Sequence, residues 1–232
     1  MRILALETSA KAVSAAVTED GKVLCSGYQD TGLTHSRTLM PIVEAMLKNT
    51  GLTVQDCDAV AVAAGPGSFT GIRIGVSAAK GLAFAADKPC AAVSTLEAMA
   101  RNVAHMDALV VCAMDARRSQ IYNALFTSEH GRLTRRTPDR AIGLAELAEE
   151  LRSEPLPLVI VGDGAVLCEK ALPPGTAPTG DAERHVRGPV RRGPGPGGKA
   201  GLRPGIASGL SPPSPGPASA AAAPDLRERF RS

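Results

Sequence analysis

The chain has 232 residues, 26 Lys/Arg against 23 Asp/Glu for a formal net charge of +3, no Trp and 3% aromatic residues. That length holds one or two domains with a real core, packed by Ala, Val, Leu and Ile rather than by rings. The five cysteines are odd in number, scattered and without a C-x-x-C pair. This excludes a disulfide framework and a zinc ribbon and points to free thiols in a reducing, cytoplasmic compartment. "MRILALETS" carries four apolar residues in a row before Glu7, too few for a signal sequence or a membrane span.

"RILALET" reads as a buried strand and "AVSAAVTEDGKVLCSGYQ" as a hairpin turning at Asp20-Gly21. "THSRTLMPIVEAMLKNTG" reads as a helix with Leu39, Val43, Met46 and Leu47 on one stripe and Gly51 as its stop; Pro41 predicts a late start or a kink. "DAVAVAA" is a strand, residues 69–86 a helix and "CAAV" a strand. Ser94 opens another helix, with Glu97 placed to complete a capping box. The order β-β-β-α-β-α-β-α is that of a ribonuclease-H-like lobe, assigned to residues 1–105.

The pattern then begins again. "ALVVCAMDARRSQIYNALFTSEHGRLT" reads as three strands, followed by a helix at about 143–152, the strand "PLVIVG" and a helix start in "DGAVLCEKAL". Glu7 and Asp115 stand at the ends of the first strand of each half, which marks a structural repeat. Residues 106–172 form an incomplete second lobe. Two such lobes make the actin-like ATPase architecture, in which acidic-polar turns after the first strands face the nucleotide phosphates. "ETSAK" and "MDARR" sit at those turns, and "VGDGA", with Gly162, sits where such folds approach the adenosine.

"GPGSFTGIRIG", Gly65 to Gly75, imitates a phosphate loop. The Walker pattern fails because Gly71 is followed by Ile72 and Arg73 instead of Lys and a hydroxyl residue, and the dinucleotide pattern fails by one residue of spacing. A strand-to-helix turn is the plainer reading.

Taken in order, "ILALETS", "HSRTLMP", "GPGSFTGIRIGVSAAKGLA", "VSTLEAMA" and "MDARRSQIY" resemble the TsaB (YeaZ) family over roughly residues 1–170. The resemblance implies an accessory subunit in the synthesis of threonylcarbamoyladenosine in tRNA, paired with its paralogue TsaD. That paralogue transfers the threonylcarbamoyl group to the adenosine next to the anticodon, and the ATPase TsaE joins the pair. It also implies that the helix from Gly71, with Ile72, Gly75, Val76 and Ala79, and the helix carrying Leu39, Val43 and Met46 form the contact with TsaD, or with a second copy when the protein is alone. TsaD has a Val-His-His-Leu/Ile-Glu-Gly-His segment whose last two histidines hold a metal. Here the ligand positions are Thr95 and Met99, which cannot replace an imidazole pair, so no metal, no required cofactor and no transfer chemistry of its own are expected.

Glu7, Thr8, Ser9, Asp115 and Gly162 are the candidate positions for weak ATP or ADP binding. A satisfied polar turn is favoured for Glu7 to Ser9, because that turn lacks the glycine that lets a phosphate approach. For Asp115, phosphate binding with Arg117 and Arg118 and a self-held turn stand level. An ATP-dependent small-molecule kinase and a metallopeptidase-like enzyme are the competing readings; the missing glycine and the missing histidine pair count against them.

Residues 173–232 hold 12 of the 18 prolines, 11 of the 24 glycines and 9 Lys/Arg against 4 Asp/Glu. Such a segment cannot bury enough apolar surface to offset chain entropy, so a disordered tail is expected. Nothing after Leu172 resembles the family, and the composition is that of GC-rich codons read in any frame. A frameshift near codon 172 is the reading adopted, with a basic RNA-binding tail as the alternative.

Overall fold

A computed structural model describes residues 1–172. The chain divides into two compact units. One contains Met1–Ala63 and Thr70–Ala92; the other contains Ala64–Phe69 and the described residues from Val93 onward. The expectations for residues 173–232 lie outside the described residues.

The first unit is built on a sheet of β1 (Arg2–Glu7), β2 (Val13–Glu19), β3 (Lys22–Gln29), β4 (Ala59–Gly65) and β5 (Cys90–Ser94), in the order β3-β2-β1-β4-β5. β2 is antiparallel to β1 and β3, and β4 runs parallel to β1 with Leu4 opposite Val60 and Leu6 opposite Val62. The hairpin turns at Asp20-Gly21, as its sequence predicts. Helices α1 (His35–Thr50) and α2 (Phe69–Ala85) contribute Leu39, Val43, Met46, Ala79 and Ala83 to one core. They pack there against Leu4, Leu6, Val13, Val17, Val60 and Val62. Each large side chain buried there stabilises by about 1.5–3 kcal/mol.

α1 does not start late. It runs from His35 through Pro41, which sits on the exposed side, where the carbonyl left without a donor faces water. Its end is the expected one: Gly51 takes φ +66° and its N–H donates to the carbonyls of Leu47 and Lys48.

The second unit carries β6 (Ala108–Arg117), β7 (Gln120–Glu129), β8 (Arg132–Arg135), β9 (Arg140–Gly143) and β10 (Leu158–Val161), with order β10-β6-β7-β8. β9, which the sequence pattern does not announce, pairs with the first half of β7 while β8 pairs with the second. β6 alternates cleanly. Val110, Cys112 and Met114 face α3 (Thr95–Arg101), whereas Leu109, Val111 and Ala113 face α4 (Leu144–Leu151) and α5 (Ala165–Ala171). α3 therefore belongs with the second sheet, and the division falls at Val93 rather than at 105. Among the described residues, no helix is long and apolar enough to cross a membrane. All five cysteines are free, and burial pushes the Cys168 thiol up to about 11 and that of Cys112 higher still.

α2 approaches the end of β1 closely. Thr8 is fully buried and its Oγ1 donates to the Gly71 carbonyl at 2.8 Å. One turn further along, a Cβ on Gly75 would lie 2.2 Å from that same oxygen. Gly75→Ala should therefore cost about 1–3 kcal/mol by overpacking. Removing the obstructing hydroxyl with Thr8→Ala should recover part of that loss, giving a coupling of at least about 0.5 kcal/mol in urea unfolding of the single and double variants. Strictly additive losses would show that Gly75 does not rest on Thr8.

Candidate functional site

The acidic-polar turn at the end of β1 is used from within. Glu7, the last residue of β1, is half-buried and accepts the N–H of Ser9. Thr8 is committed to α2 as described above, and the Ser9 hydroxyl is buried without a hydrogen-bond partner. His35, the first residue of α1, holds the next residue of the turn, its Nε2 lying 2.9 Å from the Ala10 carbonyl. The geometry corrects the candidate role of Thr8, whose hydroxyl proton is already donated. Glu7 and Ser9 remain beside it as a carboxylate and a hydroxyl in a turn that admits little water.

The corresponding turn in the second unit is open. Asp115 is exposed; its Oδ1 accepts the Arg117 N–H at 2.7 Å, so the carboxylate holds its own hairpin. Arg117, Arg118 and Ser119 all have positive φ, a left-handed run of three non-glycine residues that turns β6 into β7. The Asp115 N–H donates to Asp163 Oδ1 at 3.1 Å, and Gly164 N–H donates to the Ala113 carbonyl at 3.1 Å, so the turn after β10 docks on the end of β6. Gly162 makes this docking feasible: its φ is +114°, and a Cβ there would lie 2.0 Å from the Ala113 oxygen. Asp115 and Gly162 are thus brought together, with Asp163 as a neighbour that sequence reasoning missed. Its signal was the acid between two glycines immediately after an apolar strand.

The positions that hold the histidine pair in TsaD are filled by a buried Thr95, whose hydroxyl has no partner, and by Met99, whose methyl group lies over Gly162. Among the described residues, no three His, Cys, Asp or Glu side chains gather as a metal-binding group. Ser94 caps α3 as expected, accepting the Glu97 N–H at 3.2 Å. Glu97 does not complete the reciprocal cap. Its carboxylate accepts from Arg101 at 3.1 Å and from Arg135 at 3.3 Å, tying α3 to β8, and Arg135 in turn stacks on Phe126 with 4.6 Å to the ring centroid.

The expected partner surface is corrected most. Leu39, Val43 and Met46 are core residues of the first unit, and so is the small-residue row Gly71, Gly75 and Ala79, all buried. The row is small so that α2 can lie close on its own sheet. Ile72 and Val76 flank it, half-buried. The outer face of α2 instead presents Phe69, Arg73, Ser77, Lys80 and Phe84 at helical spacing, and the two phenylalanines are 68% and 91% exposed. On α1 the exposed positions include Arg37, Met40 and Glu44.

Burial pushes the Glu7 carboxyl above its ordinary value. The dipoles of Ser9 and of the Thr8 N–H, together with the charge of His35, pull the other way without reversing it. A raised folded-state value means that the folded chain holds a proton the unfolded chain releases. The stabilisation this gives is present at acid pH and is lost as pH rises through the folded value. Glu7→Gln, which keeps the acceptor for Ser9, should therefore raise the Tm by a few degrees at pH 7.5. The gain should vanish as the pH falls into the ordinary glutamate range; an unchanged or lowered Tm at pH 7.5 would show that the charge is well tolerated.

The TsaD family model, described as tRNA N6-adenosine threonylcarbamoyltransferase, matches residues 29–158. The tRNA threonylcarbamoyladenosine biosynthesis protein TsaB of Bacillus subtilis (strain 168) is 38% identical over 172 residues, which cover 74% of this chain and 75% of that protein. The protein of the same name in Escherichia coli (strain K12) is 34% identical over 152 residues, covering 65% of each chain. The solved structure of YeaZ from Pseudomonas aeruginosa superposes with a TM-score of 0.66 at 30% identity, over 75% of this chain and 80% of that one. The motifs from "ILALETS" to "MDARRSQIY", the two ribonuclease-H-like sheets of an actin-like ATPase fold and these likenesses agree: the chain belongs to the TsaB (YeaZ) family.

Proposed function

We propose that this chain is the non-catalytic subunit of a complex that transfers a threonylcarbamoyl group to tRNA in the cytoplasm. In this reading it pairs with a TsaD-like paralogue through the outer faces of α1 and α2. A TsaE-like ATPase joins the pair, and tRNA is engaged through the complex.

Family membership supports the pathway, and the outer face of α2 supports the pairing. Phe69 and Phe84 present two rings to water on one helix in a chain with only 3% aromatic residues. Burying one such ring against a partner contributes about 1.5–3 kcal/mol. Lys80, exposed one turn before Phe84, gives the stripe a positive charge that suits an acidic or polar rim on the partner.

A subunit without transfer chemistry is supported by Thr95 and Met99, which offer no imidazole at the paralogue's ligand positions. The kinase alternative is not favoured, since the turn after β1 spends Thr8 on packing. ATP or ADP is not required for this role; Asp115, exposed at its hairpin with Gly162 docked nearby, is the better-placed contact.

The test is pairing and activity together. Phe84→Glu should weaken binding to the TsaD-like paralogue by about tenfold or more, measured by titration calorimetry, while leaving the Tm unchanged. The wild-type chain alone, given threonylcarbamoyl adenylate and tRNA, should transfer nothing, and transfer should appear when the paralogue and ATPase are added. Turnover by the chain alone, or normal pairing by the variant, would overturn the reading.

A further inference from the structure

Among the described residues, three hairpins turn through two-residue loops, and one departs from the chemistry of the other two. β2 turns into β3 through Asp20-Gly21, with φ of +48° and +78°, and β7 into β8 through His130-Gly131, with φ of +51° and +78°. Both loops place glycine second, as a turn that is left-handed at both positions prefers. β6 turns into β7 with Arg117 opposite Gln120, so the loop is Arg118-Ser119, at φ +53° and +58°. Arg117 is left-handed as well, at φ +67°, where the register of β6 shifts. Glycine or asparagine would take these positions with less strain, so Arg-Arg-Ser is a choice that the local backbone opposes.

No contact of the two side chains offsets that strain. Arg117, Arg118, Ser119 and Gln120 are exposed in succession. Among the described residues, neither guanidinium has a carboxylate partner or a hydrogen bond; the Arg117 bond to Asp115 is made by its backbone N–H. Five other arginines of the same unit behave differently. Arg101 holds Glu97, Arg135 holds Glu97 and Asp139, Arg136 holds Glu154, Arg140 holds Glu150 and Arg152 holds Glu149. A strained turn with no internal use for its side chains points outward, to a ligand.

The turn is also held in place before any ligand arrives. Asp115 Oδ1 accepts the Arg117 N–H at 2.7 Å, the Asp115 N–H donates to Asp163 Oδ1 at 3.1 Å, and the Leu144 N–H donates to the Ser119 carbonyl at 3.3 Å. Two adjacent guanidiniums on a fixed backbone lose little freedom on binding, and their planar forks match phosphate oxygens. The tip is a convex row of exposed residues. A small ligand needs a concave site that buries most of its surface, whereas the backbone of a large polyanion can lie across such a tip.

We propose that Arg117 and Arg118, displayed on the β6–β7 turn, bind the phosphodiester backbone of RNA. The RNA is tRNA, and to that extent the proposal rests on the functional reading given above. The contact carries no sequence information; it adds affinity and fixes the orientation of the RNA on the chain. It lies in the second unit, apart from α1 and α2, so it is separable from pairing with the paralogue.

The test is fluorescence anisotropy of an unmodified tRNA transcript titrated with the full chain to about 200 µM, in salt from about 50 to 200 mM. The wild-type chain should bind, more weakly as salt rises. Arg117→Gly combined with Arg118→Gly should weaken binding about tenfold or more and reduce the slope of log K against log salt by about 1.5. The same variant should gain a few degrees in Tm, because the turn relaxes. Arg117→Lys combined with Arg118→Lys keeps both charges and should keep the slope while losing the affinity that depends on the fork; it remains informative if the glycine variant fails to fold. Pairing with the TsaD-like paralogue and binding of ATP are measured on the same variants. A wild-type chain that leaves tRNA unbound would overturn the proposal, as would a glycine variant with unchanged tRNA affinity and slope or with a lowered Tm. So would a loss confined to ATP, which would make the tip a nucleotide contact, or one confined to the paralogue, which would make it a protein contact. Failure of the wild-type chain to pair would count against the subunit reading instead, because RNA binding is measured on this chain alone.

Discussion

The hydrogen bond from Thr8 Oγ1 to the Gly71 carbonyl, with Gly75 admitting no side chain one turn later, sets how α2 lies on the first sheet. Its own net energy is modest, about 0.5–1.5 kcal/mol. Its geometric effect is larger. To bring a helix backbone within reach of a threonine at a strand end, the helix must carry small residues on the contacting face. Gly71, Gly75 and Ala79 supply that face. The larger side chains of α2 then fall elsewhere: Ile72 and Val76 at the flanks, Phe69 and Phe84 outward. One contact at the core thus fixes which face is left for a partner.

The same contact bears on chemistry. Glu7 and Asp115 occupy equivalent places in the repeat, at the ends of β1 and β6, but their surroundings differ. Around Glu7 the helix has closed in, Thr8 is bonded to it and the carboxyl is held by its own turn. Around Asp115 the hairpin is open to water and the next turn, through Asp163 and Gly162, docks by backbone hydrogen bonds and a close glycine approach. A phosphate site needs donors that are free and a backbone that can be approached. The first turn has committed Thr8 to packing against α2 and leaves the Ser9 hydroxyl buried, so it offers little of either.

Much of this was legible in the sequence, because strand alternation, the Asp20-Gly21 hairpin and the recurrence of the whole unit are local patterns that tertiary packing reinforced. The misassigned surface has a definite cause. A row of small residues four apart states that something approaches the helix closely; it does not state whether that something is another protein or the helix's own sheet. The signal that distinguishes them is the complementary one: two phenylalanines on the opposite face, Phe69 and Phe84, which are 68% and 91% exposed. Helix periodicity likewise placed Leu39, Val43 and Met46 on one stripe but could not say that the stripe was the core side. α3 was grouped with the strand before it because chain order usually implies proximity, whereas Leu96 and Ala100 fit the face of β6. β9 was missed because its four residues, Arg-Ala-Ile-Gly, are too few to show alternation. Glu97 was assigned to the helix cap by spacing alone, and the two arginines that claim it come from a later turn of α3 and from β8, a long way along the chain.

The central claim is that the small-residue face of α2 belongs to the fold and its phenylalanine face to a partner. Hydroxyl-radical footprinting of the chain with and without the TsaD-like paralogue tests this directly. Phe69 and Phe84 should react strongly in the free chain and lose most of that reactivity in the complex, while Met46, on the buried face of α1, should stay unreactive in both. Phenylalanines as reactive in the complex as in the free chain would contradict the account.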